Sequence, residues 1–255
     1  MEVEYILLAL AYAGWGLTVG LVVGFTAIGT ALLGTPGLII LFGLPPVLAV
    51  GTMTTAGFAM MLSGAVQHYR ELNVVTAIAV WFAIPAVPAA YLTARYAQEI
   101  NAVVPLESVI GVVIVVSVIV LFYRYVILRP QPHDLYLPPW KLYVSPFLGL
   151  VLGALMGATS ISGSIIVIAF IMVLKLPGPQ AVGTTSVVST VSLLVAAVAH
   201  ISRGNVEWQA LVGLVPGVLL GAAIGARNVN RVPRQVLRMA LLVILACAGV
   251  LVMVN

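Results

Sequence analysis

Apolar residues run through this chain in long blocks, separated by short stretches of Gly, Pro, Ser, Thr and charge, and the blocks return in the same order in the second half. Three blocks in each half reach the roughly 20 residues a membrane-crossing helix needs: 47–67, 74–94 and 105–128, then 180–201, 206–226 and 235–254. Ahead of each trio stand two shorter blocks around a break. Residues 5–23 and 30–42 flank Gly24–Gly29, and 142–156 and 164–174 flank Gly157–Gly163. Short helices, re-entrant hairpins meeting inside the membrane and tilted full crossings all fit these paired pieces. Irregular backbone at membrane depth is tolerated only where protein or a water-filled cavity surrounds it, so both breaks are expected to face inward.

The halves align residue by residue. Ala49-Val50-Gly51-Thr52 returns as Ala181-Val182-Gly183-Thr184, an offset of 132 residues. Pro45 and Pro177, His68 and His200, and Asn73 and Asn205 pair at that offset, and Thr26 pairs with Thr159 after a one-residue gap. A duplicated membrane unit whose interrupted parts build the functional site explains the register.

Composition strengthens this reading. Hydrophobic residues make up 62% of the 255-residue chain and charged residues 7%, against roughly 25% charged in a soluble domain; mean hydropathy is +1.20. One cysteine, Cys247, excludes an internal disulfide and a Cys-based metal site. The start Met1-Glu2-Val3-Glu4 is acidic, unlike a cleavable signal peptide. The net charge of +4 comes from basic residues in short loops, where they orient the chain in a bilayer, and gives no nucleic-acid signal.

The predicted fold is an all-α integral membrane protein with two inverted-topology repeats, each a broken or short helix pair followed by three spanning helices. Repeat 1 covers 1–128 and repeat 2 covers 142–255, with a Pro-rich cytoplasmic linker at 129–141. A hairpin and a pair of full spans both return the chain to its starting side, so three further spans leave the second repeat upside down. Nine of the eleven Lys and Arg then fall on one side. The positive-inside rule makes that side the cytoplasm, with both termini outside and the protein in the cell (inner or plasma) membrane.

The breaks suggest anion chemistry. A helix N-terminus offers unpaired N–H groups and partial positive charge, and binds anions without a basic side chain. Helix starts are expected after each break and again near Gly51-Thr52 and Gly183-Thr184, so that four converge at the midplane. The candidate binding residues are Thr26, Gly29, Thr30, Gly51, Thr52, Thr55, Thr159, Ser160, Ser162, Gly163, Ser164, Gly183, Thr184 and Thr185. The competing reading is helix packing, which small residues also serve. Ser189, Thr190 and Ser192 are expected to bond back to their own helix. His68 and His200, near span ends, are candidates for a coupling proton or a gate, against a plain interfacial role. All seven acidic residues fall in loops or at span ends, so there is no buried carboxylate relay. No metal spacing, cofactor motif or catalytic constellation stands out.

A Gly-rich break, a proline-bounded short helix, Ala-x-Gly-Thr, a helix ending near His and then Asn-Val, all duplicated, resemble the TauE/SafE family of sulfite exporters over nearly the whole chain. The first break differs in carrying hydroxyls where family members often carry more glycine. The resemblance implies a non-enzymatic secondary carrier exporting sulfite, an organosulfonate or a related anion. An anion channel of the same fold and a carboxylate transporter stay open as alternatives. The expected partners are a small inorganic or organic anion and the lipid bilayer, with a coupling proton and a homodimer left open.

Overall fold

The computed structural model describes residues 2–26, 29–123, 137–228 and 234–254. Linker residues 129–136, Ala27-Ile28 in the first break, the basic loop 229–233 and the Thr26 side chain lie outside the described residues. Among the described residues the chain forms eleven α-helices and no strand. In the first half these are α1 (Glu2–Thr26), α2 (Ala31–Phe42), α3 (Pro46–Arg70), α4 (Thr76–Arg95), α5 (Ala97–Val103) and α6 (Leu106–Phe122). The second half holds α7 (Pro139–Thr159), α8 (Gly163–Met172), α9 (Gly178–Ser202), α10 (Trp208–Asn228) and α11 (Arg234–Val254).

Six of these helices are long and apolar enough to cross a membrane: α1, α3, α4, α7, α9 and α10. The α5–α6 pair makes a seventh if counted as one span, bent by 90°. The bend sits at Pro105, which cannot donate to a helix. The freed Leu106 N–H donates instead to Asn101 Oδ1 at 2.8 Å.

The paired pieces are unequal. α1 has 25 residues and α7 has 21, while α2 has 12 and α8 has 10. Gly24, Phe25 and Thr26 stay helical because Gly24 lies directly against the backbone of Ala222, Gly225 and Ala226 on α10. α7 begins at Pro139, inside the stretch read as linker, because proline is favoured at a helix's first position.

Pro46 starts α3 in the same way, and in α9 Pro177 precedes the first residue, Gly178, with Pro179 second. Left-handed residues turn the chain at equivalent places in both halves. Gly43 (φ 64°) after α2 matches Lys175 (φ 49°) after α8. Leu72 (φ 58°) before α4 matches Gly204 (φ 70°) before α10. One member of each pair is a glycine, for which this conformation carries no Cβ penalty.

Packing has the same reciprocity. α1 runs along α10 and α7 along α4, while α3 packs on α9 and α6 on α11. Exchanging the halves maps this set onto itself. Gly16, Gly20 and Gly24 press on Leu214, Val218 and Ala222, as Gly149, Gly153 and Gly157 press on Phe82, Ala86 and Ala90. Small residues at such spacing let membrane helices touch backbone to backbone. α3 and α9 run antiparallel: Gly51 lies by His200, Gly57 by Leu193 and Gly64 by Ser186.

Candidate functional site

The two breaks meet. A β-carbon at Gly29 would lie 3.2 Å from the Gly163 nitrogen and 3.7 Å from that of Ser164. A β-carbon at Gly163 would lie 3.5 Å from the Gly29 Cα. The residues just before α2 therefore touch the first residues of α8. Neither helix carries a side-chain cap, at Thr30 or at Ser162. Each end contributes roughly half a positive charge.

Depth follows from the neighbours. A β-carbon at Gly57, near the midpoint of α3, would lie 3.2 Å from Thr30 Oγ1 and 3.7 Å from Leu193 Cδ1. From that level α2 runs back along α3, with Gly34 against the Met53 side chain and the Gly34 carbonyl accepting from Trp15 Nε1 at 3.5 Å. The start of α2 is thus held half-way along a spanning helix. Met61 Cε lies 3.1 Å from a β-carbon position at Gly163, closing the other side.

The junction is buried: Thr30 is 3% exposed, Ser162 5% and Ser164 4%. The Ser164 hydroxyl has no hydrogen-bond partner. Among the described residues no Asp, Glu or Arg is buried, and the buried Lys141 stands at the start of α7, the end far from the second break. What these groups can do together is replace part of the hydration of a small anion with N–H and O–H donors.

Other candidates are placed elsewhere. Thr159 Oγ1 donates to the Leu155 carbonyl and accepts from the Ile161 N–H. Ser160, at φ 61°, shares a 2.7 Å hydrogen bond with Thr35 Oγ1 and ties the second break to α2. The expected helix starts at Gly51-Thr52 and Gly183-Thr184 are corrected: α3 and α9 begin five residues earlier, at Pro46 and Gly178. Two starts meet half-way along α3, and those four residues brace the ends of the α3–α9 pair.

The braces are reciprocal. The Val75 N–H donates to Thr184 Oγ1, and the Glu207 N–H donates to Thr52 Oγ1, each at 2.9 Å. A β-carbon at Gly51 would collide with the Asn205 carbonyl, and one at Gly183 with the Asn73 carbonyl. Thr55 Oγ1 donates to the Gly51 carbonyl. Thr185, one residue further along α9, keeps a buried hydroxyl without a partner.

The histidines occupy opposite ends of the α3–α9 pair. His68 is half-exposed beside Glu71. His200 is fully buried, and its Nε2 lies 3.2 Å from the Gly157 carbonyl, which makes that nitrogen the donor. Near it Asn205 accepts from Gln98 Nε2 at 2.7 Å, and Arg203 pairs with Glu99. No group of three or more His, Cys, Asp or Glu is placed to hold a metal among the described residues.

Sequence reasoning missed Gly57, Met61 and Leu193. The repeat register was the available signal: Met61 and Leu193 stand 132 residues apart, as do Gly57 and Ser189. It also placed Ser189 and Ser192 wrongly. Thr190 does bond back to its helix, through the Ser186 carbonyl, but the Ser189 and Ser192 hydroxyls have no partner.

Six or seven apolar helices packed about an enclosed, uncapped junction define a multi-pass membrane protein with a polar centre rather than a lipid-facing scaffold. The family model for the sulfite exporter TauE/SafE matches residues 12–252, and the chain belongs to that family of membrane transporters. It is 31% identical over 230 residues to the probable membrane transporter protein YjnA of Bacillus subtilis (strain 168), covering 83% of this chain and 88% of that one. With the probable membrane transporter protein YdhB of the same organism it shares 29% over 237 residues, 92% and 96% of the two chains. No solved structure matches.

Proposed function

We propose that this protein is a secondary transporter that exports a small sulfur oxyanion, sulfite or an organosulfonate, held between the α2 and α8 helix ends and exposed alternately to the two sides. The observation that carries the reading is the meeting of two uncapped, buried helix N-termini at Gly29 and Gly163, with the partnerless Ser164 hydroxyl beside them. In a water-poor interior such donors bind an anion strongly. They carry no fixed charge that would hold it against release.

The antiparallel run of α3 past α9 supports two oppositely oriented copies, in which α2 and α8 approach the midplane from opposite sides. On that arrangement the end of the α3–α9 pair bearing His68 and Arg70 is cytoplasmic, the end bearing His200 and Arg203 is external, and both termini are external. The sulfur oxyanion itself comes from the family's description.

Purified protein in liposomes tests the proposal. Radiolabelled sulfite should cross saturably, and sulfite should raise the melting temperature of the detergent-solubilised protein. Flux no greater than from protein-free liposomes overturns the proposal. Non-saturating flux with single-channel currents replaces the carrier with a channel.

A further inference from the structure

Two of the faces of α9 that carry hydroxyls behave differently. Ser186 Oγ donates to the Val182 carbonyl at 3.0 Å and Thr190 Oγ1 to the Ser186 carbonyl at 2.7 Å. This is the usual fate of Ser and Thr in membrane helices, where a hydroxyl without water turns to the carbonyl one turn back. Thr185, Ser189 and Ser192 do not follow it. They are 2%, 0% and 0% exposed, and none of their hydroxyls has a partner. At about 100° per residue the three fall within roughly 60° of one another, a single stripe along the helix. Buried hydroxyls left unpaired three times on one stripe are costly, and membrane proteins keep such groups chiefly where something polar passes.

The stripe spans the levels along α9 between the junction and the His68 end of the pair. Ser192 adjoins Leu193, which lies at the level of Thr30 and Gly57 beside the helix-end junction. Thr185 adjoins Ser186, which lies by Gly64, nearer the end of α3 that carries His68 and Arg70. From Ser192 to Thr185 the rise is about 10 Å. The equivalent residues on α3 are Met53, Gly57 and Met60, which offer no hydroxyl. α3 keeps one buried hydroxyl without a partner, Thr54, so the stripe of three on α9 has no equal on α3.

We infer that Thr185, Ser189 and Ser192 form a hydroxyl ladder that hands a partly dehydrated oxyanion between the His68 end of the α3–α9 pair and the central junction. The inference rests on the transport reading above. Each rung donates an O–H to an anion oxygen. No fixed charge lies on the stripe, so the anion is passed along rather than retained. On the orientation proposed above this is the cytoplasmic half, the half an exporter loads from.

The test uses the full-length protein in liposomes with radiolabelled sulfite. The variant T185V/S189A/S192A should lose about tenfold or more in flux, the scale of one or two lost charge-assisted hydrogen bonds. Its melting temperature should equal or exceed the parent's, because orphaned polar groups have been removed. The control S186A/T190V, whose hydroxyls serve only their own helix, should stay within about twofold of the parent. Ser189→Thr in an otherwise unchanged chain keeps the hydroxyl and should keep the flux. Native flux in the triple variant overturns the ladder, as does an equal loss in the control. Absence of sulfite flux in the parent overturns the transport reading itself, a separate outcome.

Discussion

Replacing Thr184 with Val removes one oxygen and keeps the shape. In the structure that oxygen accepts the Val75 N–H at 2.9 Å, in a buried position where water cannot take its place. The loss leaves a backbone donor unsatisfied, which costs about 1–3 kcal/mol. For a chain of this size each kcal/mol moves the melting temperature by about 2–4 °C, so a fall of roughly 2–12 °C is expected. Thr52→Val removes the reciprocal acceptor of the Glu207 N–H, which is only partly buried, and should cost about 1 kcal/mol. The two braces share no partner and sit at opposite ends of the α3–α9 pair, so the double variant should show the sum. The assay is a thermal melt of purified protein with and without sulfite. As braces, both residues can be lost without weakening the anion-induced stabilisation. Unchanged melting with lost sulfite response would refute this account and return Thr52 and Thr184 to the substrate.

Three further outcomes follow from the same geometry. Ser164→Ala removes the partnerless hydroxyl at the junction; sulfite affinity should fall about 3–10-fold by titration calorimetry, with the apo melting temperature unchanged or higher. Gly153→Leu drives a side chain into the Ala86 backbone and should prevent a monodisperse peak in size-exclusion chromatography, whereas Gly178→Ala, with nothing within 4 Å of its β-carbon position, should not. Lys175→Gly and Leu72→Gly give left-handed turns the residue their repeat partners already have, and each should change stability by about 1 kcal/mol or less in the favourable direction, read as a small rise in melting temperature.

The sequence made the architecture legible wherever composition and register act over many residues. Long apolar blocks and the 132-residue offset predicted a helical membrane protein, with the blocks at 47–67 and 180–201 falling inside α3 and α9, although helix starts expected at Gly51-Thr52 and Gly183-Thr184 lie five residues too late. The breaks were located to within a few residues, and with them Gly29, Thr30, Ser162, Gly163 and Ser164. Composition did not reveal which Gly and Thr stop a helix. Gly24 continues α1 because α10 lies against it, and Gly51 sits inside α3 because it faces the Asn205 carbonyl. Both depend on partners nearly 200 or more than 150 residues away. The same holds for the hydroxyls. Nothing local separates Ser189 from Thr190, one residue apart on α9, and only the packed neighbours decide which bonds back to the helix.

The central claim is that the ends of α2 and α8 together hold an oxyanion, and heavy-atom crystallography tests it most directly. Selenite, a heavier analogue of sulfite, scatters anomalously and reports its own position. Crystals grown with selenite should show an anomalous peak at the Gly29–Gly163 junction, within hydrogen-bond distance of Ser164. A well-diffracting selenite crystal with no peak there, or with its main peak beside Thr52 or Thr184, would contradict the account.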